Sequence, residues 1–195
     1  NYGYIFGKGK GQNILDGEAN RAYNYGEIIA ADGQYIKKGE NHTVKNYGYI
    51  EVEDRENGQY IMSGTEHKAE NYGVINSTGT GYAVNVKTGT GEGINYGTVI
   101  KDGKNVFTDN TVTNKGIVIL ENVESLDNTY KLGNNEGIVL GKKDNAYTLL
   151  NTDTVVSISG DISDTFTDSK STAYVTGTKN EITKNLNDKV LGTVV

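Results

Sequence analysis

The chain contains no cysteine, proline or tryptophan, and only one methionine and two histidines among its 195 residues. Without cysteine, disulfide bonds and thiolate metal sites are excluded, so the fold depends on backbone ladders and a packed core. No apolar run approaches the roughly 18 residues that a membrane-spanning helix needs, and no basic amphipathic helix is present. We therefore expect no membrane contact in this segment.

Arginine is also scarce, and acidic residues outnumber basic ones, 25 to 19. The formal net charge is −6, and the only two arginines, Arg21 and Arg55, lie far apart in the sequence. Nucleic-acid binding needs a clustered basic face, so we expect no nucleic-acid partner. The lack of cysteine fits both the cytosol and the large repeat proteins that bacteria secrete, and so does not decide the compartment.

The dominant feature of the sequence is a repeated tripeptide, Asn-Tyr-Gly. It occurs at residues 1–3, 24–26, 46–48, 71–73 and 95–97, with degenerate copies at 114–116 and 135–137. Four positions after each Asn stands an isoleucine or a valine: Ile5, Ile28, Ile50, Ile75, Val99, Val118 and Val139. Successive copies begin 19 to 25 residues apart. Self-similarity at this period is typical of proteins built from stacked repeats.

Each repeat reads as three short strands separated by turns rich in Gly, Asn and Asp. The Gly-Gln pairs at 11–12, 33–34 and 58–59 each begin 13 residues before the next motif, whereas their distance from the preceding motif varies. Insertions are thus absorbed in one turn of the coil, as loops allow and ladders do not. The sequence predicts an all-β fold, a single-stranded parallel β-helix (β-solenoid) of about seven recognisable coils.

Alternation along the strands assigns side chains to faces. Asn24 and Ile28 point inward, while Tyr25 and Tyr35 point outward. Stacked inward residues form columns, one of them Ile14, Ile36, Ile61, Val84 and Val106. The inward asparagines form an amide ladder at a corner that tolerates the left-handed conformation. The glycine of each motif is explained either by a positive φ or by close approach of two backbones.

The pattern loosens after residue 114, and we divide the chain into regular repeats (1–150) and an irregular continuation of the β-helix (151–195). The apolar strands at 116–120 and 137–140 predict cover on both faces. Further strands are predicted at 155–158, 173–175 and 190–195, with an excursion around 163–172. Because the chain opens and ends within repeats, we expect it to be a segment of a longer solenoid.

Two features are candidate binding sites. The first is an outward column of aromatic rings: Tyr2, Tyr25, Tyr47, Tyr72 and Tyr96. Such a column can hold sugar rings or a protein partner, but stacked rings also stabilise adjacent coils, and the periodic recurrence favours that structural role. The second is the charged turn containing Asp54, Arg55 and Glu56, since loops on a rigid scaffold carry most binding residues. Such charge runs are more often simply solvated turns.

Catalytic and metal-binding chemistry has little support. His42 and His67 occupy similar places in successive repeats and are predicted to stack on each other at the surface. Two histidines without a third clear ligand make a weak metal site. No nucleophile elbow, phosphate-binding loop or zinc-protease motif is present. We therefore predict no catalytic residues, no metal and no cofactor.

Tandem Asn-Tyr-Gly-x-Ile units of this length, rich in Asn, Gly and Thr and free of cysteine, resemble the passenger domains of large autotransporter adhesins of Gram-negative anaerobes. The resemblance covers residues 1–140. It implies a right-handed parallel β-helix, exported through an outer-membrane barrel and displayed on the bacterial cell surface. It also implies contact with proteins or glycans of a host or of neighbouring bacteria. We expect a monomeric, non-enzymatic segment of such an adhesin.

Two alternatives stay open. Polysaccharide lyases use the same coil, but they need acidic and basic residues that converge on one concave face, together with calcium or a proton-abstracting Lys or Arg. The other alternative is a purely structural spacer without a ligand. Three or more such residues on one face, with stabilisation by calcium, would distinguish a lyase; binding that depends on the tyrosine column would distinguish an adhesin from a spacer.

Overall fold

A computed structural model of the chain describes residues 1–87, 90–108, 110–144, 146–150, 156–158 and 175–177, and no helix occurs among them. The first strands in chain order are β1 (Tyr4–Phe6), β2 (Gln12–Ile14), β3 (Arg21–Asn24), β4 (Glu27–Ile29), β5 (Gln34–Ile36), β6 (Thr43–Asn46), β7 (Tyr49–Val52), β8 (Gln59–Ile61), β9 (Thr65–Asn71), β10 (Val74–Ser77) and β11 (Val84–Val86). They are followed by β12 (Thr90–Asn95), β13 (Thr98–Lys101), β14 (Asn105–Phe107), β15 (Val112–Asn114), β16 (Ile117–Glu121), β17 (Lys131–Leu132), β18 (Asn134–Asn135), β19 (Ile138–Lys143), β20 (Ala146–Leu149), β21 (Val156–Ile158) and β22 (Val175–Gly177).

Three sheets run along the stack, each built from one strand per coil. Sheet 1 contains β1, β4, β7, β10, β13, β16 and β19, and ends on β20. Sheet 2 contains β2, β5, β8, β11, β14 and β17, and sheet 3 contains β3, β6, β9, β12, β15 and β18. Apart from β20, the strands of these sheets pair in parallel with their counterparts in adjacent coils. The predicted all-β parallel solenoid is confirmed, with about six turns; its right-handed winding stays a prediction.

The strand register follows the repeat, so each residue lies beside the equivalent residue of the adjacent coil. Ile28 pairs with both Ile5 and Ile50, and Ile75 pairs with both Ile50 and Val99. Apart from Ile5, which is partly buried, all of these are fully buried between the three sheets. Tight side-chain columns and continuous ladders therefore hold the coils together, and no disulfide is needed.

The second predicted column is correct through Ile61 but wrong at Val84 and Val106. At the last position Phe107, and not Val106, pairs with Val84. Val84 pairs with Gln59, and Val86 takes the place beside Ile61. The reason is that Ala83-Val84 occupies the positions of the Gly-Gln pair of earlier coils, so Val84 continues a row of glutamines. In that row Gln59 donates to Gln34 at 2.8 Å, and Gln34 donates to Gln12 at 2.7 Å. This row of side-chain hydrogen bonds ends at Gln59, because the side chain of Val84 has no N–H group to donate to it.

Close backbone approach explains the motif glycines. A Cβ on Gly48 would lie 2.0 Å from the carbonyl oxygen of Gly26, and one on Gly73 would lie 2.1 Å from that of Gly48. Neither glycine has a positive φ. The motif asparagines also lack positive φ, so the predicted left-handed corner is wrong. At this corner the backbones of adjacent coils are in contact, so only glycine, which has no side chain, fits at the motif position.

Outward-facing side chains are not all exposed. Tyr35 points away from the core yet is only 6% exposed, because Lys10 lies 4.0 Å from its ring centroid and the ring of Tyr60 packs edge-on against it at 5.3 Å. On β16, both faces are buried, with Ile117 and Ile119 on one face and Val118 and Leu120 on the other. This is the two-sided burial expected from the continuous apolar pattern.

The parallel ladder of sheet 1 changes direction at its C-terminal end. Strand β20 runs antiparallel to β19, with Leu140 opposite Leu149. Strand β21 lies within the predicted strand at 155–158, whereas β22 shares only Val175 with the predicted strand at 173–175. The two strands pair antiparallel with each other and not in parallel as in a solenoid coil. The proposed excursion at 163–172 and the strand at 190–195 lie outside the described residues.

Candidate binding surfaces

The corner between sheets 3 and 1 is held by a ladder of asparagine side chains. The Nδ2 group of Asn24 donates to Oδ1 of Asn46 at 2.9 Å, Asn46 donates to Asn71 at 2.8 Å, and Asn71 donates to Asn95 at 2.7 Å. The series extends from Asn1 to Asn135 without a break. Each amide is therefore fixed, and in the five coils where a tyrosine follows the asparagine it leaves the backbone at the same place.

The five predicted tyrosines are brought together as a stack of rings. Neighbouring ring centroids from Tyr2 through Tyr25, Tyr47 and Tyr72 to Tyr96 are 4.8–4.9 Å apart, with interplanar angles of 4–10°. This is the geometry of offset stacking, worth about 0.5–1.5 kcal/mol per pair beyond the burial of surface. The column thus stabilises the contact between coils, as the structural interpretation expects.

Stacking also decides what the column can present to a ligand. Each inner ring is covered on both faces by its neighbours, and the exposed fraction falls from 85% at Tyr2 to 44% at Tyr25 and 40% at Tyr47. A sugar stacks on the face of an aromatic ring, and both faces of Tyr25, Tyr47 and Tyr72 are already taken by neighbouring rings. Tyr72 is tied back further, since its hydroxyl donates to Glu70. Burial and this hydrogen bond raise the pKa of Tyr72 to about 12.

A separate groove lies at the turn between sheets 1 and 2, on the other side of sheet 1 from the tyrosine column. Its volume is about 790 Å³, within the range of ligand pockets. It spans four coils: the turn at 53–56 borders it, Gly79 and Thr80 line one end, and Phe6 and Ile29 supply apolar wall. Phe6 is 74% exposed. The predicted residues Asp54, Arg55 and Glu56 all line this groove.

The groove is rich in charges that have no ion-pair partner among the described residues. Lining it are two cations, Lys8 and Arg55, and four carboxylates: Glu51, Glu53, Asp54 and Glu56. Elsewhere ion pairs commonly join adjacent coils, for example Lys45 with Glu70 at 2.7 Å. The unpaired charges give the groove an excess of negative charge that a bound group could neutralise.

A buried lysine supports the turn that borders the groove. Lys101 is fully buried, and its Nζ donates to the carbonyl oxygens of Ser77, Gly79 and Asp102 at 3.3, 2.7 and 3.0 Å. The turn that Lys101 holds is bonded to the preceding coil, because the N–H of Thr80 donates to the carbonyl of Asp54 at 2.6 Å. The position of the charged turn is therefore coupled to a buried ammonium group.

We expect the stability of the protein to rise between pH 8 and pH 10 through Lys101. Burial lowers the pKa of Lys101 from 10.5 to about 8, so in this interval the unfolded chain binds more protons than the native chain. The free energy of unfolding should then rise by up to about 1.4 kcal/mol per pH unit. Denaturant unfolding across this range would measure the rise. A Lys101→Met variant should lack it, and an equal rise in both proteins would contradict the assignment.

The histidine pair stacks as predicted but is not at the surface. The rings of His42 and His67 are 5.0 Å apart and parallel within 2°, and the residues are 0% and 1% exposed. Nδ1 of His67 accepts a hydrogen bond from the backbone N–H of His42, so its Nε2 carries the proton and donates to the carbonyl of Ser63. A ring held this way between a backbone donor and acceptor has no free nitrogen for a metal.

We expect acid to destabilise the protein through His67. Burial, and then the charge of His42, lower the pKa of His67 below its ordinary value of 6.5. Below that pH the unfolded chain binds the proton and the native chain does not, so the free energy of unfolding falls as pH decreases, by up to about 1.4 kcal/mol per pH unit. Urea titrations between pH 7 and pH 5 would measure the fall. It should be shallower in His67→Gln, and an unchanged slope would refute this assignment.

Sequence reasoning found the charged turn but missed the groove that it borders. Phe6 and Lys8 lie in the first coil and Asp54 in the third, and only the register brings them near one surface. The varying length of one turn was the available signal, because a long turn stacked beside shorter ones leaves a hollow. Lys101 gave a weaker signal, a charged residue at the end of an apolar strand.

Comparison with known proteins adds no relative: no family model, no curated protein and no solved structure matches the chain. Within the described residues, no group of three or more His, Cys, Asp or Glu side chains is placed to hold a metal ion. No helix in that part of the chain is long and apolar enough to cross a membrane.

Proposed function

We propose that this chain is a non-enzymatic segment of a bacterial cell-surface adhesin, an autotransporter passenger that acts outside the cell as a monomer. Its role is to hold variable turns on a stiff β-solenoid, where they contact a protein or a glycan of a host or of neighbouring bacteria. The resemblance of the Asn-Tyr-Gly repeats to such passengers supports the family and the location.

The observation that carries the binding role is the groove beside the turn at 53–56. The repeat does not require this turn: the corresponding segment of the second coil is shorter, with four residues between β4 and β5 against six between β7 and β8. Charged side chains there have no ion-pair partners in the described structure, and exposed Phe6 lies in the same groove. Unpaired charge and exposed aromatic surface on one rigid concavity are features of recognition surfaces.

The first experiment separates an adhesin from a spacer. Cells and glycan arrays are tested for binding to the immobilised segment, to a column variant (Tyr25→Ser, Tyr47→Ser, Tyr72→Ser) and to a groove variant (Glu53→Gln, Glu56→Gln). Because inner ring faces are covered, we expect the groove variant to lose more binding than the column variant. Unfolding curves of each variant separate lost contact from lost fold. Absence of binding by the unmodified segment would overturn the adhesin role in favour of a spacer.

One observation favours a second candidate function, a polysaccharide lyase. The groove brings two cations and four carboxylates onto one concave face, which meets the convergence expected of such an enzyme. Calcium distinguishes the two candidates, since a calcium-dependent lyase is stabilised by about 1 mM of the ion, as extracellular calcium sites are. We expect no shift of the unfolding temperature and no unsaturated product from polygalacturonate; a positive result in both assays would establish the lyase.

A further inference from the structure

We propose that the groove beside the turn at 53–56 binds a positively charged protein segment that carries an apolar side chain. This inference deepens the proposed function by naming the class of its ligand. The ligand would place the apolar side chain against Phe6 and Ile29, and Lys or Arg side chains beside Glu53 and Glu56. The geometry points to this ligand for three reasons, which concern the apolar wall, the charge and the rigidity of the groove.

The apolar wall provides an anchor. Phe6 is 74% exposed, and Ile29, paired with it in register, is half buried. Deeper in the groove, the side chains of Ala30 and Val52 are 9% and 1% exposed. A volume of about 790 Å³ accommodates several side chains of an extended segment. Binding energy in protein interfaces is concentrated where an apolar group fills such a hollow and water is excluded around it.

The negative charge of the groove favours a ligand with positive charge. Four carboxylates and two cations line it, and none of the six forms an ion pair within the described residues. A ligand with Lys or Arg compensates the excess and is drawn in by the field of a chain whose net charge is −6. A neutral glycan leaves the carboxylates uncompensated, and a polyuronate is repelled by them. The groove therefore favours a cationic protein segment over either polysaccharide.

The turn is held in place before any ligand arrives. The carbonyl of Asp54 accepts hydrogen bonds from the N–H groups of Thr80 and Gly81, at 2.6 and 3.0 Å. Asp54 itself has a φ of 59°, a left-handed conformation that Asp tolerates. Gly79 is in turn fixed by Lys101. A preorganised turn spends little binding energy on ordering, so a short peptide is a sufficient probe.

Fluorescence anisotropy with three labelled hexapeptides tests the inference. The first peptide contains three Arg or Lys and two Leu residues, the second has Glu at the basic positions, and the third has Ser at the Leu positions. We expect the first to bind at least about ten-fold more tightly than either other peptide, and to lose affinity as sodium chloride increases from about 50 to 500 mM. Equal affinity of the first two peptides, or no binding of the first, would overturn the proposal.

Matched variants show whether binding occurs at this groove. Glu53→Gln with Glu56→Gln should weaken binding of the first peptide by about ten-fold, and Phe6→Ser by about five-fold. Glu18→Gln with Glu40→Gln removes the same charge from exposed positions outside the groove and should change affinity less than about two-fold. An equal loss in both double variants would show that the peptide responds only to net charge, and would refute the groove site.

Failure of this inference is distinguishable from failure of the adhesin role. If the unmodified segment binds cells or glycans but not the cationic peptide, then the ligand class is wrong and the adhesin role stands. If calcium-dependent binding of polygalacturonate is lost in the Glu53→Gln, Glu56→Gln variant, the groove belongs to the lyase candidate. Circular dichroism and thermal unfolding of each variant confirm that the coil is intact in every comparison.

Discussion

Replacing Gly73 by alanine should unfold the middle of the solenoid or weaken it by about 4 kcal/mol or more. A Cβ at this position would lie 2.1 Å from the carbonyl oxygen of Gly48 and 2.7 Å from the carbonyl carbon of Tyr47. Both atoms belong to the backbone of the preceding coil, so no side-chain rotation relieves the clash. Relief requires separating two coils whose ladder hydrogen bonds and tyrosine stacking depend on their spacing.

The control for this substitution is Gly9→Ala. A Cβ on Gly9 would have no heavy atom within 4 Å, so we expect its effect on the free energy of unfolding to stay within about 0.5 kcal/mol. Urea unfolding followed by far-ultraviolet circular dichroism measures both variants. Because repeat arrays can unfold in parts, the first transition is the quantity to compare. Equal stability of the two variants would show that the coils are not in backbone contact at the motif.

The architecture could be predicted because one period governs local and long-range structure alike. A side chain such as Ile50 is surrounded by its own counterparts, Ile28 and Ile75, so spacing in the sequence gives its neighbours in space. The same logic failed where a coil replaces one residue type by another. Val84 was assigned to the isoleucine column because it is apolar, whereas its place in the coil is that of Gln59.

The candidate surfaces were less predictable, because exposure depends on what neighbouring coils cover. Tyr47 and His42 both recur at the repeat period, yet the tyrosine is 40% exposed and the histidine 0%. The repeat period identifies which residues of adjacent coils lie side by side, but it does not give how deeply each side chain is buried. The groove depends further on differences between coils, since Phe6 and Glu53 meet on one surface only because the intervening turn is short. Such differences are the part of a repeat sequence that the repeat itself cannot predict.

Replacing Asn46 by aspartate should be almost as damaging as the glycine substitution, although the two side chains have the same shape. Nδ2 of Asn46 donates to Oδ1 of Asn71 at 2.8 Å and to the carbonyl oxygens of Gly48 and Val74 at 3.2 and 3.1 Å. Asn46 is fully buried. In aspartate an oxygen replaces this nitrogen and faces three acceptors without a proton. We expect a loss of roughly 3–5 kcal/mol at neutral pH, from an unpaired buried charge and unsatisfied carbonyls.

The pH dependence of the Asn46→Asp variant distinguishes the charge from the lost donors. Burial raises the pKa of the introduced carboxyl, so the native state of the variant binds a proton more readily than the unfolded state. Its deficit relative to the unmodified protein should therefore shrink as pH falls from 8 to 5, because a protonated carboxyl restores one donor to the ladder. Asn13→Asp, at an exposed position, is the control and should show no such recovery. A deficit that is independent of pH would mean that the ladder fails through shape or strain, and that its stability does not come from the aligned amides.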